Sequence, residues 1–279
     1  MRLVLLLSCP DRPGIVAAVA GWIVAVGGNI VEADQHTDAT AGLFLQRIVF
    51  DADRSVDQAR TSFAPVAAEL GLDWQVHPLG PPARLVLLGS REPHCVLDIL
   101  GRIDTGDLPA TAAALISNHP DLATAAARFD VAFHHHPVDP DEPAAHEQAV
   151  LDTLDALAPD VVVLARYMRV LSPRFVQRYG ACAINIHHSF LPAFAVGRPY
   201  HQAHERGVKV IGATAHYVTA ELDAGPIIAQ DVTRVSHRDD IADLRRRGRD
   251  LETVVLARAV RQHLEHRVLT FANRTAVFD

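Results

Sequence analysis

The chain has 279 residues, of which 49% are apolar and 21% charged, with a net charge of −7. That is enough apolar chain for one large domain or two ordinary ones, and the acidic balance excludes a nucleic-acid partner held by a basic surface. The three cysteines, Cys9, Cys95 and Cys182, are far apart, which excludes a disulfide framework or zinc spacing and fits a reducing, cytoplasmic setting.

The first segment alternates strand and helix. Leu3–Ser8 is expected as a buried strand, since Cys9-Pro10-Asp11-Arg12-Pro13 interrupts the apolar start too early for a signal peptide. Pro10 to Gly14 makes a turn, and Ile15–Val26 has helical spacing with Ile15, Val19, Trp22 and Ile23 on one face. Gly27-Gly28-Asn29 ends that helix, or alternatively holds an effector carboxylate. Strands at Ile30–Thr37 and Leu43–Phe50, a helix at Ser55–Leu70 and a strand at Leu72–Val76 complete a βαββαβ order, the ferredoxin-like sandwich. Pro78-Leu79-Gly80-Pro81-Pro82 then breaks the pattern. The domain boundary is placed there, giving residues 1–80 and 84–279.

From Arg84 the rhythm becomes β/α. Strands are expected at Leu85–Gly89, Ala112–Ser117, Val131–Phe133, Val161–Ala165, Ala181–His187, Val208–Val218 and Pro226–Val235. Helices fall near Cys95–Ile103, Leu122–Phe129, Ala144–Leu157, Arg174–Tyr179, Tyr200–Gly207 and Ile241–His266. Val- and Leu-rich strands between helices predict a mostly parallel, Rossmann-like α/β sheet covered on both faces. No apolar run is long enough to span a membrane.

One strand carries chemistry. Asn185 and His187 stand two apart on Ala181–His187, so a strand points both to one face and His188 to the other. The run stops at Phe190-Leu191-Pro192, so an amide donor and an imidazole emerge together at a strand end, where open parallel sheets bind ligands. Asp223, in Leu222-Asp223-Ala224-Gly225-Pro226, supplies a carboxylate to hold the imidazole. Asn, His and Asp are the parts needed to stabilise an oxyanion and shuttle a proton in acyl transfer. Gly-x-Ser-x-Gly is absent, so Ser189 is no elbow nucleophile.

The segments Asn185-Ile-His187-His-Ser-Phe-Leu-Pro192, Gly212-Ala-Thr-Ala-His-Tyr-Val-Thr219 and Leu222-Asp-Ala-Gly-Pro-Ile-Ile228 resemble the folate-dependent formyltransferases. Ile116-Ser-Asn-His-Pro-Asp-Leu122, Val163-Leu-Ala-Arg-Tyr-Met168 and Pro199-Tyr-His-Gln-Ala203 are most similar to the family's formyltetrahydrofolate deformylase branch. Cys9-Pro-Asp-Arg-Pro-Gly-Ile-Val16 and Gly27-Gly-Asn-Ile30 resemble the first strand, turn and helix of the ACT domain in that branch. The resemblance covers nearly the whole chain. It implies hydrolysis of 10-formyltetrahydrofolate to formate and tetrahydrofolate, which supplies formate for purine synthesis and balances the one-carbon folate pool. The folate is then the substrate, with no cofactor and no metal.

In that scheme Asn185 and protonated His187 donate to the oxyanion. Asp223 holds the imidazolium and helps order the water, and His187 or a relayed water protonates the leaving nitrogen. The resemblance also puts the pterin between the loop Arg166-Tyr167-Met168-Arg169-Val170-Leu171 and the loop from Thr219 through Leu222 to Asp223. His216 is expected either at the site wall or in the core. Asp11, Gly14 and Asn29 are the implied amino-acid effector positions, and ACT pairing implies a homo-oligomer. Two positions depart from the family pattern. Val196 stands at a glycine position in Phe194–Pro199, and Ala224 stands where a glutamate is usual.

Other readings compete. A transferase to an amine needs a grip on the acceptor. In Gly89-Ser90-Arg91-Glu92-Pro93, Glu92 repels a phosphate and Pro93 lacks an N–H donor, which favours water. A non-catalytic sensor would be expected to have lost part of Asn185, His187 and Asp223. His134-His135-His136 alternate faces and have no acidic or cysteine partner at ligand spacing. Arg245-Arg246-Arg247-Gly248-Arg249 reads as a solvated or interface face, and His188 as structural.

Overall fold

The computed structural model describes residues 1–139, 141–192 and 199–279. They form two compact units, Met1–Pro81 with Glu265–Asp279 and Pro82–Leu264.

In the first unit the order is β1 (Arg2–Pro10), α1 (Ile15–Ala25), β2 (Asn29–Asp38), β3 (Leu43–Asp51), α2 (Val56–Leu70) and β4 (Asp73–Pro78). The sheet runs β2-β3-β1-β4, all antiparallel. The alternation of β1 buries Leu3, Leu5 and Leu7 against Ile15, Val19, Trp22 and Ile23 of α1 and Phe63 of α2. Those α1 residues are the face the helical spacing predicted. Ser55 and Gln58 form a capping box that starts α2.

The closing segment departs from expectation. The last helix was expected to reach His266 within the second segment. It ends at Leu264, and β12 (Val268–Phe271) and β13 (Arg274–Val277) form a hairpin that belongs to the first unit. His266, Ala272 and Asn273 take positive φ (50°, 42° and 59°), which breaks the helix and turns the hairpin. Leu269 covers Val4, Leu6 and Val49 on the other face of the sheet. Arg47, 1% exposed, fastens the segment by donating to the carbonyls of His266 (3.0 Å) and Glu265 (3.2 Å) and to Glu32 (2.8 Å).

The second unit continues with β5 (Ala83–Gly89), α3 (His94–Asp104), β6 (Ala110–Ser117), α4 (Ala123–Arg128), β7 (Phe133–His135), α5 (Pro143–Leu157) and β8 (Val161–Ala165). Then follow α6 (Pro173–Tyr179), β9 (Ala183–His187), α7 (Pro199–Glu205), β10 (Val210–Tyr217), β11 (Ile227–Arg234) and α8 (Ile241–Leu264). The sheet order is β11-β10-β9-β8-β5-β6-β7. Strands β9 through β7 are parallel, while β10 and β11 add antiparallel. β7 lies two residues later than expected, and β9 starts at Ala183 because Gly180–Cys182 forms a 3-10 turn. The order reverses between β5 and β8, so the carboxyl ends of β5, β8 and β9 open onto a switch point. No helix among the described residues is long and apolar enough to cross a membrane.

Candidate active site

β9 delivers its two polar side chains to one place. His187 Nδ1 lies 3.1 Å from Asp223 Oδ2, and the side chains are 8% and 14% exposed. Asn185 Nδ2 lies 3.3 Å from His216 Nε2, which is also 3.6 Å from Asp223 Oδ1. His216 Nδ1 donates to the Tyr217 carbonyl at 2.8 Å, so Nε2 accepts from the Asn185 amide. The second amide hydrogen of Asn185 is left for another acceptor. His216, left open between wall and core by the sequence, is part of this constellation. His187 Nε2 is buried with no hydrogen-bond partner among the described residues.

Burial acts to raise the Asp223 carboxyl, but the hydrogen bond from His187 Nδ1 and the neighbouring His216 ring outweigh it and hold the group well below the usual carboxylate range. Asp223 itself adopts φ 54°, a left-handed conformation that Asp tolerates. Gly225 lets this turn close against β10, since a Cβ there would lie 1.8 Å from the Tyr217 carbonyl oxygen. The chain leaving β9 is stitched down as well. Fully buried Thr214 donates to the Ser189 carbonyl (2.9 Å) and accepts from the Leu191 amide (3.1 Å) and from Gln230 (2.9 Å).

A cleft of about 50 Å³ beside these residues is lined by Arg169, Val170, Leu171, Thr219, Leu222 and Asp223 among others, with Asn185 and His216 at its base. Val170 and Leu222 are 73% and 64% exposed, an apolar rim without a partner in the unit. Met168 stands apart from this cleft, in an adjoining cavity of about 380 Å³ with Ser90, Asn118, Arg166 and Arg169. The Val196–Gly197 departure lies outside the described residues.

The strand ends at His187, so His188 does not turn to the opposite face as expected; its ring lies against that of His187, with centroids 4.9 Å apart, and it lines a third cavity of about 620 Å³. There the structure adds Glu252, which no sequence motif marks, and brings Arg166 of the expected pterin loop to it. Glu252, 1% exposed, accepts from His94 Nε2 (2.8 Å) and Tyr200 Oη (2.9 Å), and Arg166 Nε lies 3.5 Å away. Burial raises the Glu252 carboxyl, but His94, Arg166 and Tyr200 lower it further and keep it ionised. A signal was available in Gly248, mid-helix in α8, where a Cβ would meet Tyr200 Oη at 2.0 Å. His94, Cys95 and Glu252 bring one ligand atom each within 4.8 Å of one another. Burial pushes the Cys95 thiol up, away from the thiolate a metal needs, and Arg166 already answers the Glu252 charge.

In the first unit, Asp11 and Gly14 line a depression of about 550 Å³ with Arg12, Gln35, Thr37 and Phe44. Asn29 is not among its residues. It pairs with Asp51 at the far end of β2 from Thr37, roughly 26 Å away at the strand rise per residue. The three implied effector positions therefore do not meet within one subunit.

The profile of the formyl transferase family matches residues 83–260, which hold this constellation. Similarity extends over the whole chain to particular members. The chain is 52% identical over 277 residues to a formyltetrahydrofolate deformylase of Synechocystis, covering 98% of this chain and 97% of the relative. It is 44% identical to one of Bacillus subtilis, covering 99% and 93%. A solved formyltetrahydrofolate deformylase of Pseudomonas syringae superposes with a TM-score of 0.97 at 47% identity, covering 100% and 95%. A glycinamide ribonucleotide transformylase of Symbiobacterium toebii matches only 72% of the chain, with a TM-score of 0.67 and 34% identity. The chain belongs to the formyltetrahydrofolate deformylase family.

Proposed function

We propose that the protein hydrolyses 10-formyltetrahydrofolate to formate and tetrahydrofolate through Asn185, His187 and Asp223. The observation that carries this reading is the environment of His187, with Nδ1 engaged by Asp223 and Nε2 buried and unused among the described residues. Water attacks the formyl carbon while Nε2 takes its proton, and the new C–O bond leaves an oxyanion. The free amide hydrogen of Asn185 donates to it, an interaction of about 3 kcal/mol in comparable sites. Collapse breaks the C–N bond, and the imidazolium hands the proton to the departing folate nitrogen. No metal and no cofactor enters this scheme.

The exposed Val170 and Leu222 and the polar cleft floor suit a flat, polar-edged pterin. A cleft of about 50 Å³ admits such a ring only when its two walls part. A ribonucleotide acceptor brings a phosphate, and the turn before α3 offers Glu92 and Pro93 instead of free amides. Incubation with 10-formyltetrahydrofolate and no amine tests the reading. Stoichiometric tetrahydrofolate and formate are expected, and transfer of the formyl group to glycinamide ribonucleotide in preference to water overturns it.

The first unit fits an ACT-type module that pairs with the same module of a second copy and takes a small amino acid at the Asp11–Gly14 depression. β2 is an exposed edge strand of ten residues, a template for such pairing. A monomeric mass in light scattering at micromolar protein refutes the pairing. The formate released would feed purine synthesis in the cytoplasm.

A further inference from the structure

The 620 Å³ cavity lined by His188 is not used by the hydrolytic scheme, and its wall is unusual. Arg166 directly follows the last residue of β8. Because Leu164 pairs in parallel with Asn185, Arg166 emerges beside His187 at the sheet's carboxyl edge. Arg166 lines both this cavity and the adjoining 380 Å³ one. Arg169 in turn lines the latter and the cleft that holds Asn185 and Asp223. Arg169 and Arg166 therefore stand in the walls that separate the reacting residues from this cavity.

Three observations mark Arg166 as a ligand-binding group. Its Nε is buried and makes no hydrogen bond among the described residues, its ion pair with Glu252 being loose at 3.5 Å. Its backbone stands at φ 65°, a conformation that glycine adopts freely and arginine rarely does. A non-glycine residue held there points to a function for its side chain. Its surroundings are cationic, with Arg245 and Arg249 on the same wall. Of the carboxylates there, Glu252 is already bonded to His94 and Tyr200, and Glu92 is 3.7 Å from Arg249. Burial, with Arg166 and His187 nearby, pushes His188 down to about 4, so at neutral pH the cation beside His187 is the guanidinium.

We infer that Arg166 binds the small carboxylate product on its way out, so that formate leaves through the cavity lined by Arg166, Arg245 and Arg249. This rests on the hydrolysis reading, which makes formate the anion released at His187. A planar guanidinium fork matches a carboxylate in two parallel hydrogen bonds.

The test titrates 13C-formate into the full-length protein at constant ionic strength and follows its relaxation, alongside formate inhibition of tetrahydrofolate release. Arg166→Gly relieves the backbone and should keep the fold, and Arg166→Lys keeps the charge but loses the fork. Saturable formate binding in the wild type is expected, weakened at least tenfold in Arg166→Gly and by an intermediate factor in Arg166→Lys. The formate inhibition constant should rise in parallel. Formate binding that is absent in the wild type, or unchanged in both variants, overturns the inference. A wild type that releases no tetrahydrofolate instead overturns the hydrolysis reading, so the two failures are distinguishable.

Discussion

Replacing Asp223 by Asn isolates the charge beside His187. The amide keeps the shape of the carboxyl, and Asn accepts the left-handed backbone at φ 54°. What disappears is the negative charge 3.1 Å from Nδ1 that stabilises the imidazolium formed when water gives up its proton. At an effective dielectric of about 20, opposite charges about 4 Å apart attract by about 4 kcal/mol. At about 1.4 kcal/mol per factor of ten, kcat should fall about a thousandfold. KM should stay within a few-fold, because the cleft walls at Arg169–Leu171 are untouched. Tetrahydrofolate release under saturating substrate measures it, with circular dichroism to check the fold. A kcat within tenfold of wild type refutes the assignment of Asp223. Because the folded-state carboxyl is held low, its stabilisation is present above the ordinary value of about 3.9 and is lost only as pH falls below that toward the folded-state value. The stability gap between wild type and Asp223→Asn should accordingly be full at neutral pH and close in strong acid.

Asn185→Ala removes one oxyanion donor and should cost about a hundredfold in kcat, read in the same assay. Gly225→Ala should also lose most activity while the protein stays folded, since a Cβ 1.8 Å from the Tyr217 oxygen must lift the turn that carries Asp223; a near-normal kcat would show that the turn can yield. Arg47→Ala unpairs the carbonyls of Glu265 and His266 and should cost about 3 kcal/mol in urea unfolding, with early proteolysis of the C-terminal hairpin. His188 is depressed to about 4, so between the unfolded value of about 6.5 and that point the unfolded chain binds a proton the native one does not, and stability rises with pH. Between about pH 7 and pH 5 the wild type should lose about 2 kcal/mol more than His188→Gln; equal losses would remove His188 as the cause.

The parts of this protein that sequence makes legible are those whose signal is local. Leu3, Leu5 and Leu7 alternate, and Ile15, Val19, Trp22 and Ile23 repeat at helical spacing, so β1 and α1 follow from period alone. Asn185 and His187 share a face for the same reason. The C-terminal hairpin is hidden because α8 carries its apolar spacing almost to the break, and the turn uses Ala272-Asn273 where Asn-Gly would have announced it. Met168 follows the pterin-loop motif in sequence, yet a left-handed backbone at φ 34° turns it into the neighbouring cavity. The Glu252 cluster is hidden for a different reason. His94, Arg166, Tyr200 and Glu252 come from α3, the β8 end, α7 and α8, and no spacing along the chain relates them.

Asp223 and Glu252 are each held by a histidine, yet they are suited to different work. Asp223 answers only the two imidazoles, and one of these, His187, keeps its second nitrogen free. That pair can gain and lose a proton during a reaction. Glu252 is held by His94, Tyr200 and Arg166 together, so its charge is answered on both oxygens. It fixes a wall of the 620 Å³ cavity and holds the largely buried Arg166 guanidinium beside it. A protonated amine approaching by that wall meets a cation, a carboxylate is drawn to it, and water is indifferent to its sign. An Asn–His–Asp set can serve transfer or hydrolysis equally well. On the proposed scheme the preference for water then lies in the acceptor wall, where Arg166 disfavours a protonated amine and Glu92, at the turn before α3, disfavours a phosphate.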